Sequence, residues 1–280
     1  MTSGTLYLIA TPIGNLEDIT FRAVRILKEV SLIAAEDTRH TKNLLNHFDI
    51  HTPLTAYHEH NKDTAGEKLI EKLLNGEDIA VVSDAGLPCI ADPGAALVKT
   101  AVEKNIKIEP VPGANAALTA LIASGLDTTM FTFVGFLPKT DKKAKERLLN
   151  FQNREETLIF YAAPHSLKDT LKKLAQTFGE NRRAVIAREL TKTFEEFKRG
   201  KLSDFVKFYE SEEPRGEFVI IVEGGENIAA EPQEFDIKKL YDEKLKAGLN
   251  KKEAMREVAK TLNISRREVY GELLKLSDEC

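Results

Sequence analysis

Apolar and polar positions change period along this chain, and the changes divide it. From residue 5 to about 126, short β-rich apolar runs alternate with longer stretches of helical spacing. Residues 6–10 (LYLIA) and 32–35 (LIAA) read as strands, with a helix over residues 19–30 between them. Residues 79–83 (IAVVS) form a continuous apolar run that stops at Asp84-Ala85-Gly86, the signature of a strand covered on both faces. Residues 95–103 and 114–124 follow Pro-Gly steps and read as helices. This alternation predicts βαβ units and a mainly parallel sheet, whose ligand sites lie outside the carboxyl ends of the strands.

Turn chemistry at residues 125–129 marks a break, after which strand signals recur at residues 131–134, 157–161, 184–187 and 218–222 between lysine-rich helical stretches. Residues 224–232 read as a linker, and from residue 236 the pattern is almost wholly helical. Within that tail the spacing of Ala254, Val258, Ala259, Leu262 and Ile264, with Ser265 as a helix cap before Arg266-Arg267, reads as a helix-turn-helix. A solvated amphipathic hairpin fits the same pattern. The expected division is residues 1–127 and 128–225, each an α/β domain, and residues 226–280, a linker with a small helical domain.

Composition narrows the class. The 280 residues are 42% hydrophobic and 30% charged, which excludes disordered and fibrous chains. Forty Lys+Arg against 44 Asp+Glu give a net charge of −4, so a nucleic-acid partner must be met by a local basic patch. The run from Lys139 to Arg147 is one such patch. The two cysteines, Cys89 and Cys280, carry no metal-ligand spacing and fit a reducing compartment, so a cytoplasmic location is expected. No stretch reads as a signal peptide or membrane span. His58-Glu59-His60 lacks a third ligand nearby in sequence, and no metal is expected.

Candidate chemistry gathers at the strand ends. Residues 11–18 (TPIGNLED) make a sharp turn, and neither a GxGxxG nor a P-loop spacing occurs anywhere, which removes most support for NAD and nucleotide-triphosphate chemistry. Glu36-Asp37-Thr38-Arg39 puts two carboxylates, a hydroxyl and a guanidinium at a strand-to-helix junction. They can position a polar substrate or simply cap the helix. Residues 83–94 (SDAGLPCIADPG) hold two Gly, two Pro and two Asp, more restraint than a plain turn needs. The small residues of 111–117 (VPGANAA) would let a flat ring approach the backbone, and close helix-sheet packing explains them equally well.

Together these segments resemble the tetrapyrrole methylase family, in its RNA-modifying branch. Residues 133–138 (FVGFLP), 161–165 (YAAPH), 187–193 (ARELTKT) and 215–219 (RGEFV) agree, so the likeness spans nearly the whole chain. It departs from the tetrapyrrole-modifying members, whose first loop is richer in glycine and whose third reads Gly-Gly-Asp-Pro. The resemblance implies two α/β domains with S-adenosylmethionine in the cleft between them, a homodimer, and methylation of a cytidine ribose 2′-hydroxyl in the decoding region of 16S rRNA of the small ribosomal subunit. A methylase of tetrapyrroles or other small molecules is the alternative. On this likeness Pro12, Gly14, Asp84, Ala85 and Gly86 line the cofactor, with Pro112, Gly113 and Ala114 near its adenosine and Tyr161, Ala187 and Arg188 from the second domain. A ribose hydroxyl must lose its proton near the transition state. The expected catalytic set is therefore Glu36 or Asp37 to accept or orient it, Arg39 to hold a phosphate or the partner carboxylate, and Glu189 or Lys192 to complete the site.

Overall fold

The computed structural model describes residues 2–90, 92, 94–225, 237–262 and 266–275. Two compact units emerge, residues 1–225 and 226–280. The first contains two five-stranded sheets.

The first sheet is built from β1 (Thr5–Ile9), β2 (Leu32–Ala35), β3 (Leu54–Ala56), β4 (Ile79–Val82) and β5 (Lys107–Val111), in the order β3-β2-β4-β1-β5. Every pairing is parallel, as the alternating pattern requires. Successive side chains of a strand point to opposite faces, and here both faces are covered. Ile9, Ile33, Ala80 and Val82 pack under α1 (Phe21–Glu29) and α2 (Thr38–His47). Leu6, Ala34, Ile79 and Val81 pack under α3 (Lys62–Leu74) and α4 (Gly94–Glu103). β4 is buried at all four positions, which is why it reads as an unbroken apolar run.

The second sheet orders β6 (Phe131–Phe136), β7 (Thr157–Ala162), β8 (Arg183–Arg188), β9 (Glu196–Lys201) and β10 (Phe218–Val222) as β6-β7-β10-β8-β9. β6 and β7 are parallel, and the other pairings are antiparallel. One face packs on α6 (Asp141–Leu149), α7 (Pro164–Phe178) and α8 (Leu202–Ser211), around the fully buried Phe160. The other face, with Ile159, Val185, Ala187, Val219 and Ile221, packs on Ala117, Ala120 and Leu121 of α5 (Ala116–Ser124) and on Ile13 of the first strand-end loop. These contacts bring the first sheet's strand-end loops against the second sheet.

β3 and β9 give no strand signal in the sequence. β3 is only three residues long, and β9 (EFKRGK) is a polar edge strand with no buried position. The second unit holds α9 (Ile237–Lys246), α10 (Lys251–Leu262) and α11 (Arg266–Lys275) around Val258, Ala259 and Val269. Ile264 and Ser265, central to the helix-turn-helix reading, lie outside the described residues, as do Ala91 and Pro93 of the third strand-end loop.

Candidate active site

Three strand-end loops are stitched together beyond the carboxyl edge of the first sheet. After β1, the Thr11 backbone exchanges two hydrogen bonds with Gly86 of the loop after β4, at 2.9 and 3.0 Å. The Thr11 hydroxyl donates to the Ser83 carbonyl at 3.1 Å. After β2, the Asp37 N–H donates to the Asp84 carboxylate at 2.9 Å. Gly86 takes φ +83°, where a side chain would be strained. After β5, Gly113 lies so close to β1 that an added Cβ would meet the Ala10 Cβ at 2.8 Å.

These loops and the second sheet enclose a cavity of about 530 Å³, within the size range of small-molecule sites. Glu36, Asp84, Ala85, Gly86 and Asp92 line it from the first sheet, and Tyr161, Ala162, Leu190, Glu217 and Val219 from the second. Four carboxylates line it, and no lysine, arginine or histidine is among the described lining residues, although Glu217 is paired with Lys192 just outside. Burial, and then the neighbouring Asp84 and Asp92, push the Glu36 carboxyl above its usual range. Asp92 also closes its own loop by accepting the N–H groups of Cys89 and Gly94 at 2.8–2.9 Å. Burial, with Asp92 adding, pushes the Cys89 thiol up to about 12, so it carries no thiolate chemistry near neutrality.

A second cavity of about 280 Å³ shares Ile13, Ser83, Asp84, Ala85 and Glu217 with the first and adds Pro12, Gly14, His40 and Lys192. The loop bearing Lys192 is strained, with positive φ at Glu189 (+50°) and Thr191 (+66°). Ionic contacts hold it: the Lys192 ammonium reaches Glu189 at 2.9 Å and Glu217 at 3.0 Å. The Glu217 N–H also donates to Glu189 at 3.0 Å. Burial alone would raise the Glu189 carboxyl; Lys192 and the Glu217 N–H outweigh it and hold it below its usual range. For Lys192 burial acts downward, and the two glutamates outweigh it. The Lys192 stem crosses Gly14 so closely that a Cβ there would meet its Cγ at 2.5 Å.

Not every expected residue reaches these cavities. Asp37 caps α2 through the Arg39 N–H at 2.8 Å. It also binds the Arg39 guanidinium at 2.9 Å, which holds its carboxyl down to about 2. Neither Asp37 nor Arg39 lines either cavity, so the pair has the geometry of a helix cap. Glu189 is likewise committed to Lys192. Pro112, Gly113 and Ala114 line neither cavity; Asn115 and Ala116, next along the chain, line the larger. Ala187 is fully buried against α5, and Arg188 turns away to donate to the Arg215 carbonyl at 2.8 Å. Among the described residues no group of three or more His, Cys, Asp or Glu is arranged to hold a metal ion, and no helix is long and apolar enough to cross a membrane.

Asp92, Glu217 and Ile13 escaped the sequence reading as site residues. Asp92 sits in a loop already singled out, and Glu217 lies in the 215–219 segment that carries the family likeness, though nothing local marks it as a site residue.

Residues 5–206 match the family of Tetrapyrrole (Corrin/Porphyrin) Methylases. The chain is 52% identical over 274 residues to the Ribosomal RNA small subunit methyltransferase I of Halalkalibacterium halodurans, covering 96% of this chain and 94% of that protein. It is 48% identical to the protein of the same name from Bacillus subtilis, covering 95% and 93%. Among solved structures, diphthine synthase superposes with a TM-score of 0.60 at 15% identity, covering 79% of this chain and 90% of that one. A uroporphyrin-III-C-methyltransferase from Thermus thermophilus does so with 0.55 at 20% identity, covering 78% and 94%. At such identities these two likenesses speak for the fold alone.

Proposed function

Because this chain belongs to the tetrapyrrole methylase family, we propose that it methylates the ribose 2′-hydroxyl of a cytidine in the decoding region of 16S rRNA, in the cytoplasm and as a homodimer. At the coarser level it is an S-adenosylmethionine-dependent rRNA methyltransferase. The observation that carries the reading is the lining of the larger cavity, apolar with four carboxylates, of which only Glu217 is ion-paired, to Lys192. That lining fits a donor with a sulfonium, an ammonium and an adenine: carboxylates concentrate cations, and rings such as Tyr161 suit a flat apolar group.

When bound, S-adenosylmethionine supplies an activated methyl group whose S–CH3 bond breaks as the O–CH3 bond forms. The chain's own share is placement, exclusion of water and handling of one proton. Asp84, Ala85, Gly86 and Tyr161 hold the donor, with Asn115 and Ala116 beside them. Pro12, Gly14 and Lys192 line the adjoining smaller cavity and extend the donor's site; the acceptor hydroxyl is presented in the larger one, which Glu36 lines. Glu36 takes the hydroxyl proton: it faces the larger cavity, and its raised affinity for protons makes it a better base than an ordinary exposed carboxylate. Lys192 fixes the wall of the smaller cavity by bridging Glu189 and Glu217.

The test is tritiated methyl transfer to small ribosomal subunits lacking the modification, with mass spectrometry of the released nucleosides. Label on a cytidine ribose supports the reading, and label on a base or on no RNA overturns it.

A further inference from the structure

Residues three apart on a regular strand point to opposite faces. Phe133 and Phe136 of β6 do not. Phe133 pairs with Ile159, Gly135 with Phe160 and Phe136 with Tyr161, so Val134 is an extra residue, a β-bulge. Gly135 accommodates it at φ +72°, where any side chain would be strained. Both phenylalanine rings consequently meet Tyr161 edge-on, with centroids 4.9 and 5.5 Å away. Phe133 is partly buried in the packing against α5. Phe136 remains 54% exposed at the rim of the larger cavity. Bulges beside active sites commonly re-aim a side chain in this way.

The chain beyond Phe136 is basic. Lys139, Lys142, Lys143 and Lys145 are exposed, and none has an ion-pair partner among the described residues, whereas Asp141 pairs with Lys173 at 2.7 Å. Arg147 of the same helix donates to the Val134 carbonyl at 2.7 Å, which ties α6 to the bulge itself. A polyanion is repelled by the four carboxylates of the cavity and attracted to this strip at its mouth.

We propose that Phe136 is a nucleobase-stacking platform at the mouth of the active site. One base of a single-stranded RNA segment lies on its exposed face, while the lysines between residues 139 and 145 hold the adjacent phosphates. Aromatic stacking beside a basic track is the usual physics of single-strand binding. The inference rests on the rRNA-methylating reading and names the element that grips the RNA.

The chain has no tryptophan, so Phe136→Trp introduces a single fluorophore, and Phe131→Trp on the same strand serves as its control. Titration with a cytidine-containing single-stranded oligoribonucleotide is expected to quench the first and leave the second unchanged. Phe136→Ala is expected to raise KM for small ribosomal subunits on the order of 10-fold, with Phe136→Tyr restoring it, and to raise KM for S-adenosylmethionine by much less. Quenching by S-adenosylmethionine with no response to RNA would overturn the proposal by assigning the ring to the donor. So would a Phe136→Ala variant that changes oligomeric state while keeping its RNA affinity, since the ring would then belong to a protein interface. Wild-type protein that neither binds the oligoribonucleotide nor methylates subunits would overturn the rRNA reading itself, and this inference with it.

Discussion

In the first sheet every strand runs the same way, so the loops after β1, β2, β4 and β5 all open on one edge. In the second, β6, β7 and β8 run one way and β9 and β10 the other, so strand ends are shared between two edges. The difference sorts their roles. Parallel topology collects loops, and three of those loops bond to one another around Asp84 and Gly86. The mixed sheet contributes a wall, with Tyr161, Ala162 and Val219 lining the cavity from strands whose main business is packing. Substitutions in the loops should therefore act on turnover, and substitutions in the wall's core on stability.

The largest separation is expected from Glu36→Gln. Loss of a general base lowers kcat by roughly 100- to 10,000-fold, while the melting temperature stays at or above wild type because the near-isosteric amide removes a charge that burial, Asp84 and Asp92 disfavour. The opposite pattern belongs to Phe160→Ala in the second sheet's core, where deleting a fully buried ring costs about 3–5 kcal/mol. Denaturant unfolding would reveal that loss, and turnover per folded molecule should be nearly preserved. A variant that moved both quantities together in either position would erase the distinction.

How far this division was legible follows from the kind of information each part needs. β4 announced itself because burial on both faces makes a run with no polar position. The cap at Asp37 is local chemistry, a side chain bonding to an N–H two residues on, whereas the cap at Asn115 goes unread and the helix pattern starts at residue 114 instead of Ala116. Glu36 and Asp37, by contrast, are neighbours of the same chemistry, and only the fold separates them. Glu36 lines the larger cavity beside Asp84, while Arg39 captures Asp37. Glu217 and Ile13 reach the site only by packing across the two sheets, which no local pattern records. β9 stayed hidden because an exposed edge strand has no apolar face to alternate.

Smaller effects refine the same contrast. Gly14→Ala pushes a methyl into the Lys192 stem; the lysine is expected to swing off Glu189 and Glu217, and kcat/KM for methyl transfer to fall with the melting temperature near wild type. The pH dependence separates the two neighbouring acids. Glu36 must be ionised to accept a proton, and its folded-state pKa lies above the ordinary 4.5, so kcat falls with decreasing pH through that raised value. Its contribution to stability has the opposite sense, being greatest when the carboxyl is protonated and declining as pH rises from 4.5 through the raised value. Asp37 is lowered from 3.8 to about 2, so its stabilising contribution is complete above 3.8 and lost as pH falls through 2. Asp37→Asn should therefore flatten the acid arm of the stability profile and leave the kcat profile unmoved, the smallest change of the set because the pair is exposed to solvent.

The central claim is that the stitched loops of the parallel sheet hold the methyl donor and present Glu36 to a ribose hydroxyl. Single-turnover methyl transfer to unmodified small ribosomal subunits, comparing wild type with Glu36→Gln at saturating S-adenosylmethionine, tests it most directly. The account predicts label on a cytidine ribose in the wild type and a loss of at least about 100-fold in the variant, with donor affinity retained. Wild-type rates in Glu36→Gln, or label that reaches a base instead of the ribose, would contradict it.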